Sequence, residues 1–120
     1  AIGLGRPADL CPHLGHPRAV VVVDDIVTTG ATVTEAVRAL TRSAAREWGA
    51  DNITVNNVMP VADTWGVDAS TPAPANALNR YGSPDADIAP VVLFLASKDA
   101  QFLTGYSLTP DGGQIIDSAR

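Results

Sequence analysis

The chain has 120 residues, 8 of them basic and 13 acidic, for a formal net charge of −5. Hydrophobic residues make up 46% and charged residues 18%, a balance that fits one folded domain and excludes a disordered polyelectrolyte. An acidic chain without a basic run is a poor partner for nucleic acid or anionic membranes, and no apolar run approaches the length that spans a bilayer. A single cysteine, Cys11, rules out an internal disulfide framework and suits a reducing, cytoplasmic compartment. No charged stretch followed by an apolar core opens the chain, so no secretory leader is expected. The first residue is not Met, which fits a trimmed chain or a fragment.

Residues 1–18 are rich in Gly and Pro, carry no hydrophobic period and read as a tail. Within it, Cys11, His13 and His16 form a Cys-x-His-x-x-His run. A fourth ligand with zinc-site spacing is missing, so no metal site is expected there. Ala19 to Val23 is a continuous, mostly β-branched run ending at Asp24-Asp25. It predicts a strand buried on both faces, as in a parallel sheet.

Val33, Val37, Leu40, Ala44 and Trp48 are spaced by four, three, four and four, which predicts a helix with one apolar stripe. Arg38, Arg42 and Arg46 fall on another face, near Glu35 and Glu47, and read as a solvated surface. Gly49 is a natural helix stop. Ile53 to Val58 predicts a second strand, cut off by Pro60. Residues 60–82, with three prolines and two glycines, predict a long loop of the kind that forms lids or binding segments.

Ser83-Pro84-Asp85 is a helix start: an N-cap hydroxyl, a proline in the first turn and an acid beside it. Ile88, Val91, Val92 and Leu95 supply its buried stripe, and Pro90 inside it should bend the helix or free a carbonyl. Tyr106 to Thr109 predicts a short third strand, followed by a turn at Pro110-Asp-Gly-Gly113. The expected fold is α/β, a small Rossmann-like β-α-β-α-β unit with a mostly parallel sheet. Residues 1–18 would form the tail and residues 19–120 the single domain.

Val20-Val-Val-Val-Asp-Asp-Ile-Val-Thr-Thr-Gly-Ala-Thr32 resembles the signature of type I phosphoribosyltransferases. Backbone N–H groups at a helix start favour an anion, glycine permits close approach and threonine hydroxyls add donors. The resemblance implies a ribose 5-phosphate or phosphoribosyl pyrophosphate group held by Asp24, Asp25, Thr28, Thr29, Gly30, Ala31 and Thr32. Mg²⁺ could then bridge through the pyrophosphate.

Residues 36–116 resemble the C-terminal third of a classical short-chain dehydrogenase/reductase. The resemblance rests on Leu40-Thr-Arg-Ser-Ala-Ala-Arg-Glu-Trp-Gly49, Asn52-Ile-Thr-Val-Asn-Asn-Val58, Asp87-Ile-Ala-Pro-Val-Val-Leu-Phe-Leu-Ala-Ser97 and Leu103-Thr-Gly-Tyr-Ser-Leu-Thr-Pro-Asp-Gly-Gly113. On this reading residues 19–35 are phosphoribosyltransferase-like and 36–120 dehydrogenase-like, a chimera-like join of two Rossmann-type pieces. The second family implies an NAD(P)-dependent oxidoreductase, with Pro60 and Thr64 near the nicotinamide. Its catalytic Tyr would fall at Gly30 and its Lys at Thr34, so neither is present. Val61 stands where the family has Gly, and no Gly-rich dinucleotide turn follows a strand. These gaps predict a module inactive as an oxidoreductase on its own. The family's subunit contacts and exposed apolar faces predict a homo-oligomer.

Overall fold

A computed structural model of the chain describes residues 18–23, 31–63 and 70–115, with the backbone alone described through residue 32. Strand β1 runs Arg18–Val23, helix α1 Ala31–Trp48 and strand β2 Ile53–Val58. A π-helical turn at Pro84–Ile88 leads into helix α2, Ala89–Ala96, and strand β3 is Ser107–Leu108. The sheet order is β1-β2-β3. Both pairings are parallel, with Arg18 opposite Ile53 through Val23 opposite Val58, and Asn57 and Val58 opposite Ser107 and Leu108. The β-α-β-α-β order expected from the sequence is therefore present.

Residues along β2 alternate between two helical layers, because successive side chains of a strand point to opposite faces. Ile53 and Val55 pack with Ala44 and Ala45 of α1, and Trp48 closes that cluster. Alanines at the contact let helix and strand approach closely. Val58, on the other face, packs with Leu95 and Ala100, covered by Val92, Leu103 and Leu108. The result is a three-layer α/β/α arrangement around one central strand.

Helix α1 buries Ala44 and packs Trp48 as its expected stripe requires, but the stripe is turned at Val33 and Leu40. Thr41, Ala44 and Ala45 are buried, whereas Val33 and Leu40 are 52% and 54% exposed. Thr41 is at home in this face because its hydroxyl donates to the Val37 carbonyl at 2.8 Å. The α-helix ends at Trp48, just before Gly49, as expected. A 3₁₀ turn over Gly49–Asp51 follows it, and Asn52 takes the left-handed conformation (φ 59°), donating its N–H to Gly49 O. Asn tolerates that conformation better than most residues, so the left-handed position falls at Asn52 and not at the glycine.

Ser83 caps the second helical segment as expected, its Oγ accepting from Ala86 N at 3.3 Å. The consequence of Pro90 is a widened turn. Ile88 N–H reaches back five residues to Ser83 O, and Ala89 N–H reaches Pro84 O. One extra residue in the turn accommodates a proline that has no N–H and would crowd the carbonyl four residues earlier.

β2 and β3 are joined first through side chains and then through backbone. Asn56, fully buried, donates from Nδ2 to Leu103 O at 2.8 Å and accepts at Oδ1 from Tyr106 N at 3.2 Å. The Thr104 hydroxyl accepts from Val55 N at 3.0 Å. Asn57 N, Met59 N and Val61 N then donate in turn to Tyr106 O, Leu108 O and Pro110 O. The next side chain behaves differently from Asn56. Asn57 is equally buried, yet among the described residues neither its Nδ2 nor its Oδ1 has a hydrogen-bond partner; Trp48 Nε1 also lacks one there.

Candidate functional site at the carboxyl ends of the strands

Ligands of open parallel α/β sheets bind beyond the carboxyl ends of the strands. Here that edge collects the chain after β2 (Met59 to Asp63), the segment 76–82 and the turn after β3. Gly82 pairs with this edge: Gly82 N donates to Val61 O at 3.0 Å and Asp63 N donates to Gly82 O at 2.8 Å. They make a parallel bridge between Ala62 and Gly82. A side chain at Gly82 would meet Val61 O at 3.2 Å, so the close approach favours glycine.

Asn76 ties this edge together. Its Nδ2 donates to Asp111 O at 2.9 Å and to Arg80 O at 3.0 Å, and its Oδ1 accepts from Arg80 N at 3.3 Å. Leu78 N donates to Gly112 O at 3.1 Å. The buried Asp111 carboxylate folds its own turn, accepting from Gly113 N and Ile115 N at 2.8 Å each. Gly112 has φ +67°, and a Cβ there would lie 2.8 Å from Asn76 Nδ2.

Arg80 and Asp87 form a bidentate pair, 2.6 Å from Nη1 to Oδ2 and 3.0 Å from Nη2 to Oδ1. Ser83 N also donates to Asp87 Oδ2, at 2.7 Å. The Arg80 hydrogen bonds, then the Ser83 N–H, hold the Asp87 carboxyl down to about 2. The same hydrogen bond to Asp87, with its charge, raises Arg80. Around these groups lies a crevice of about 150 Å³ lined by residues that include Val61, Arg80, Gly82, Asp87 and Gly112. That volume holds a small polar group and not a dinucleotide.

Of the expected site residues, Pro60 is buried directly after β2, on this edge. Ala31 and Thr32 are the first two residues of α1. Asp24, Asp25, Thr28, Thr29, Gly30 and Thr64 lie outside the described residues, as do Cys11, His13 and His16. Thr34, half-buried, stands in the first turn of α1. Asn76 and Arg80 carry no signal in the sequence, and Asp87 and Asp111 stand there only inside the dehydrogenase-like segments, without a site role. Only Asp111 had a local signal, the Pro-Asp-Gly-Gly turn.

The profile of the enoyl-(acyl carrier protein) reductase family matches residues 19–114, from β1 to just past the Asp111 turn. The chain belongs to the short-chain dehydrogenase/reductase family. Similarity to members of this family is extensive. The chain is 37% identical over 92 residues to a 12alpha-hydroxysteroid dehydrogenase of Clostridium sp., covering 69% of this chain and 36% of that one. It is 40% identical over 87 residues to the short-chain dehydrogenase/reductase eriH of Hericium erinaceus, covering 66% and 34%.

Among solved structures, a short-chain dehydrogenase/reductase family protein superposes with a TM-score of 0.66 at 31% identity, covering 79% of this chain and 44% of that one. The angucycline C-6 ketoreductase LanV, solved with bound NADP, gives 0.65 at 29% identity, covering 79% and 42%. The chain therefore spans about a third of the length of the curated relatives it matches. The family match also takes in residues 19–35, the stretch with the phosphoribosyltransferase resemblance.

Proposed function

We propose that this chain is a short-chain dehydrogenase/reductase module that does not carry out hydride transfer by itself. The observation that carries the reading is Thr34. It occupies the first turn of α1, where the family resemblance calls for the Lys that assists proton transfer. A neutral hydroxyl offers no positive charge to lower the pKa of a neighbouring acid, and Gly30 has no side chain to serve as that acid. Val61 after Pro60 adds a side chain where the family's glycine lets the backbone approach a nicotinamide. The crevice of about 150 Å³ beside Arg80 and Asp87 holds a small polar group and not NAD(P), and no hydride-transfer step is assigned to the residues that line it.

Exposed apolar side chains on both helices support self-association: Val33 and Leu40 on α1, Leu93 (71% exposed) and Phe94 on α2. No helix among the described residues is long and apolar enough to cross a membrane.

The test is turnover by purified protein with NAD⁺ or NADP⁺ and a panel of alcohols that includes hydroxysteroids, the substrate class named for the clostridial relative. No turnover above background is expected, and measurable NAD(P)-dependent turnover would overturn the reading. A second reading rests on the resemblance carried by residues 20–32 alone. On it, residues 24–32 bind a ribose 5-phosphate group with Mg²⁺, without transfer chemistry. Calorimetric titration with ribose 5-phosphate and Mg²⁺ decides it. Saturable binding weakened by Thr29→Val favours this reading, and absence of binding to folded protein removes it.

A further inference from the structure

Helix α1 is fastened to the sheet along only part of its length. In its second half Ala44, Ala45 and Trp48 pack with Ile53 and Val55 of β2. Among residues 33–40 none is buried: Thr34, Val37 and Arg38 are half-buried and the others are exposed. The ion pair between Arg38 and Glu35, 2.9 Å, joins two residues of the helix itself and adds nothing to its hold on the sheet. From residue 33 onward Thr41 is the first buried position, and its hydroxyl is spent within the helix, on Val37 O at 2.8 Å.

What lies under that turn of the helix is polar. Side chains on one face of a strand recur at every second residue, about 6.6 Å apart. Ile53 and Val55 face α1, so Asn57 is the next to do so, while Val58 faces the other layer. One such step along the strand corresponds to about four residues of helix at 1.5 Å each. The helix between two parallel strands runs against them, so the step from Val55 to Asn57 leads back from Ala44 and Ala45 to the level of Thr41. There Asn57 is fully buried, with Nδ2 and Oδ1 unmet among the described residues. A buried donor and acceptor left unmet carry the full cost of losing water. Lifting the helix above them returns that water, and no buried apolar side chain in residues 33–40 resists the movement. Trp48 Nε1 is unmet there as well, but it is a single donor on a ring held in the apolar cluster.

We propose that residues 33–40 of α1 are a conformational device: this half of the helix opens from the sheet as a unit, pivoting near Thr41, and wets Asn57 while residues 44–48 stay packed. Asn57 sets the balance, because its amide is unmet in the closed form and hydrated in the open one. Native-state hydrogen exchange on the full chain tests this. The amides of Val37 to Leu40 should exchange roughly tenfold faster than those of Ala44 to Trp48. Fraying from a helix end gives a similar gradient, but it does not answer to a side chain on β2. Asn57→Val should therefore slow exchange at residues 37–40 roughly fivefold more than at residues 44–48. Asn57→Ala, which deletes the amide without adding a branched side chain, should act in the same direction. Circular dichroism establishes which variant is folded. Equal protection along α1, a ratio between the two halves that neither folded variant changes, or equal slowing of both halves overturns the proposal. So does loss of folding in both variants, which would show that the amide is needed in the closed form.

Discussion

Arg80 grips both carboxylate oxygens of Asp87 across the start of the second helical segment, and the Ser83 N–H takes one of the same oxygens. Three donors on one carboxylate fasten the end of the long loop to the π-helical turn. The pair is partly exposed, 53% for Arg80 and 32% for Asp87, so its value is chiefly geometric.

This arrangement sets an acid limit on stability. Asp87 is held at about 2 in the folded chain, against an ordinary 3.8. A depressed carboxylate stabilises the fold above its unfolded pKa, and that contribution is lost as pH falls through the folded value. The urea midpoint of the wild type should therefore carry this contribution in full from pH 7 down to about 5. The contribution should be lost between about 4 and about 2. Asp87→Asn should show a smaller acid-induced change, which midpoints measured at matched ionic strength will check.

Neighbouring asparagines on β2 should respond in opposite directions. Asn56 bonds to Leu103 and Tyr106 and couples β2 to the chain before β3. Asn56→Val removes both bonds and leaves a buried N–H and a carbonyl unmet, a loss of about 1–3 kcal/mol. Asn57 holds two buried polar atoms with no partner among the described residues. Asn57→Val replaces them with a β-branched side chain and should be neutral or stabilising, up to about 2 kcal/mol. Denaturant unfolding of the two variants side by side gives the signs directly.

Gly112→Ala should destabilise by about 1–2 kcal/mol from its left-handed backbone alone. The added methyl also presses on Asn76 Nδ2, so the variant should lose hydrogen-exchange protection at Leu78 and Arg80 as well. Unchanged protection at those amides would mean the loop and the turn are not coupled as described.

Leu95, 1% exposed, anchors the cluster between α2 and the sheet. Leu95→Ala should cost about 2–5 kcal/mol, depending on how far Val92, Leu103 and Leu108 close the cavity. Leu93→Ala, on the exposed side of the same helix, should stay within about 0.5 kcal/mol in the monomer. Thermal melts of the two variants distinguish the faces.

Much of this architecture can be read locally. The valine run before Asp24 is β1, Ile53 to Val58 is β2, and Ser83-Pro84 starts a helix where the hydroxyl and proline require. The orientation of α1 is not local. Val33 and Leu40 belong to its apolar stripe, yet the sheet lies under Thr41 and Ala45, because a threonine that bonds its own helix can be buried and alanines allow close packing. The widened turn before Pro90 arises from a missing N–H, which predicts a disturbance without saying that one extra residue absorbs it. The carboxyl-end clamp is least legible: Asn76 meets Asp111 across 35 positions, a distance at which no spacing rule operates.

The coupling of β2 to the chain around β3 has a kinetic side. Val55 and Asn56 reach their partners at Thr104, Leu103 and Tyr106 over separations of 49, 47 and 50 residues. Closing a loop of that size costs roughly 3.5 kcal/mol before any contact repays it. By contrast, β1 and β2 are joined by little more than one helix. As the chain is made, β1, α1 and β2 can assemble while β3 is still being synthesised, leaving one edge of β2 open. Closing that edge late is the step at which this fold is most exposed to pairing with the wrong strand.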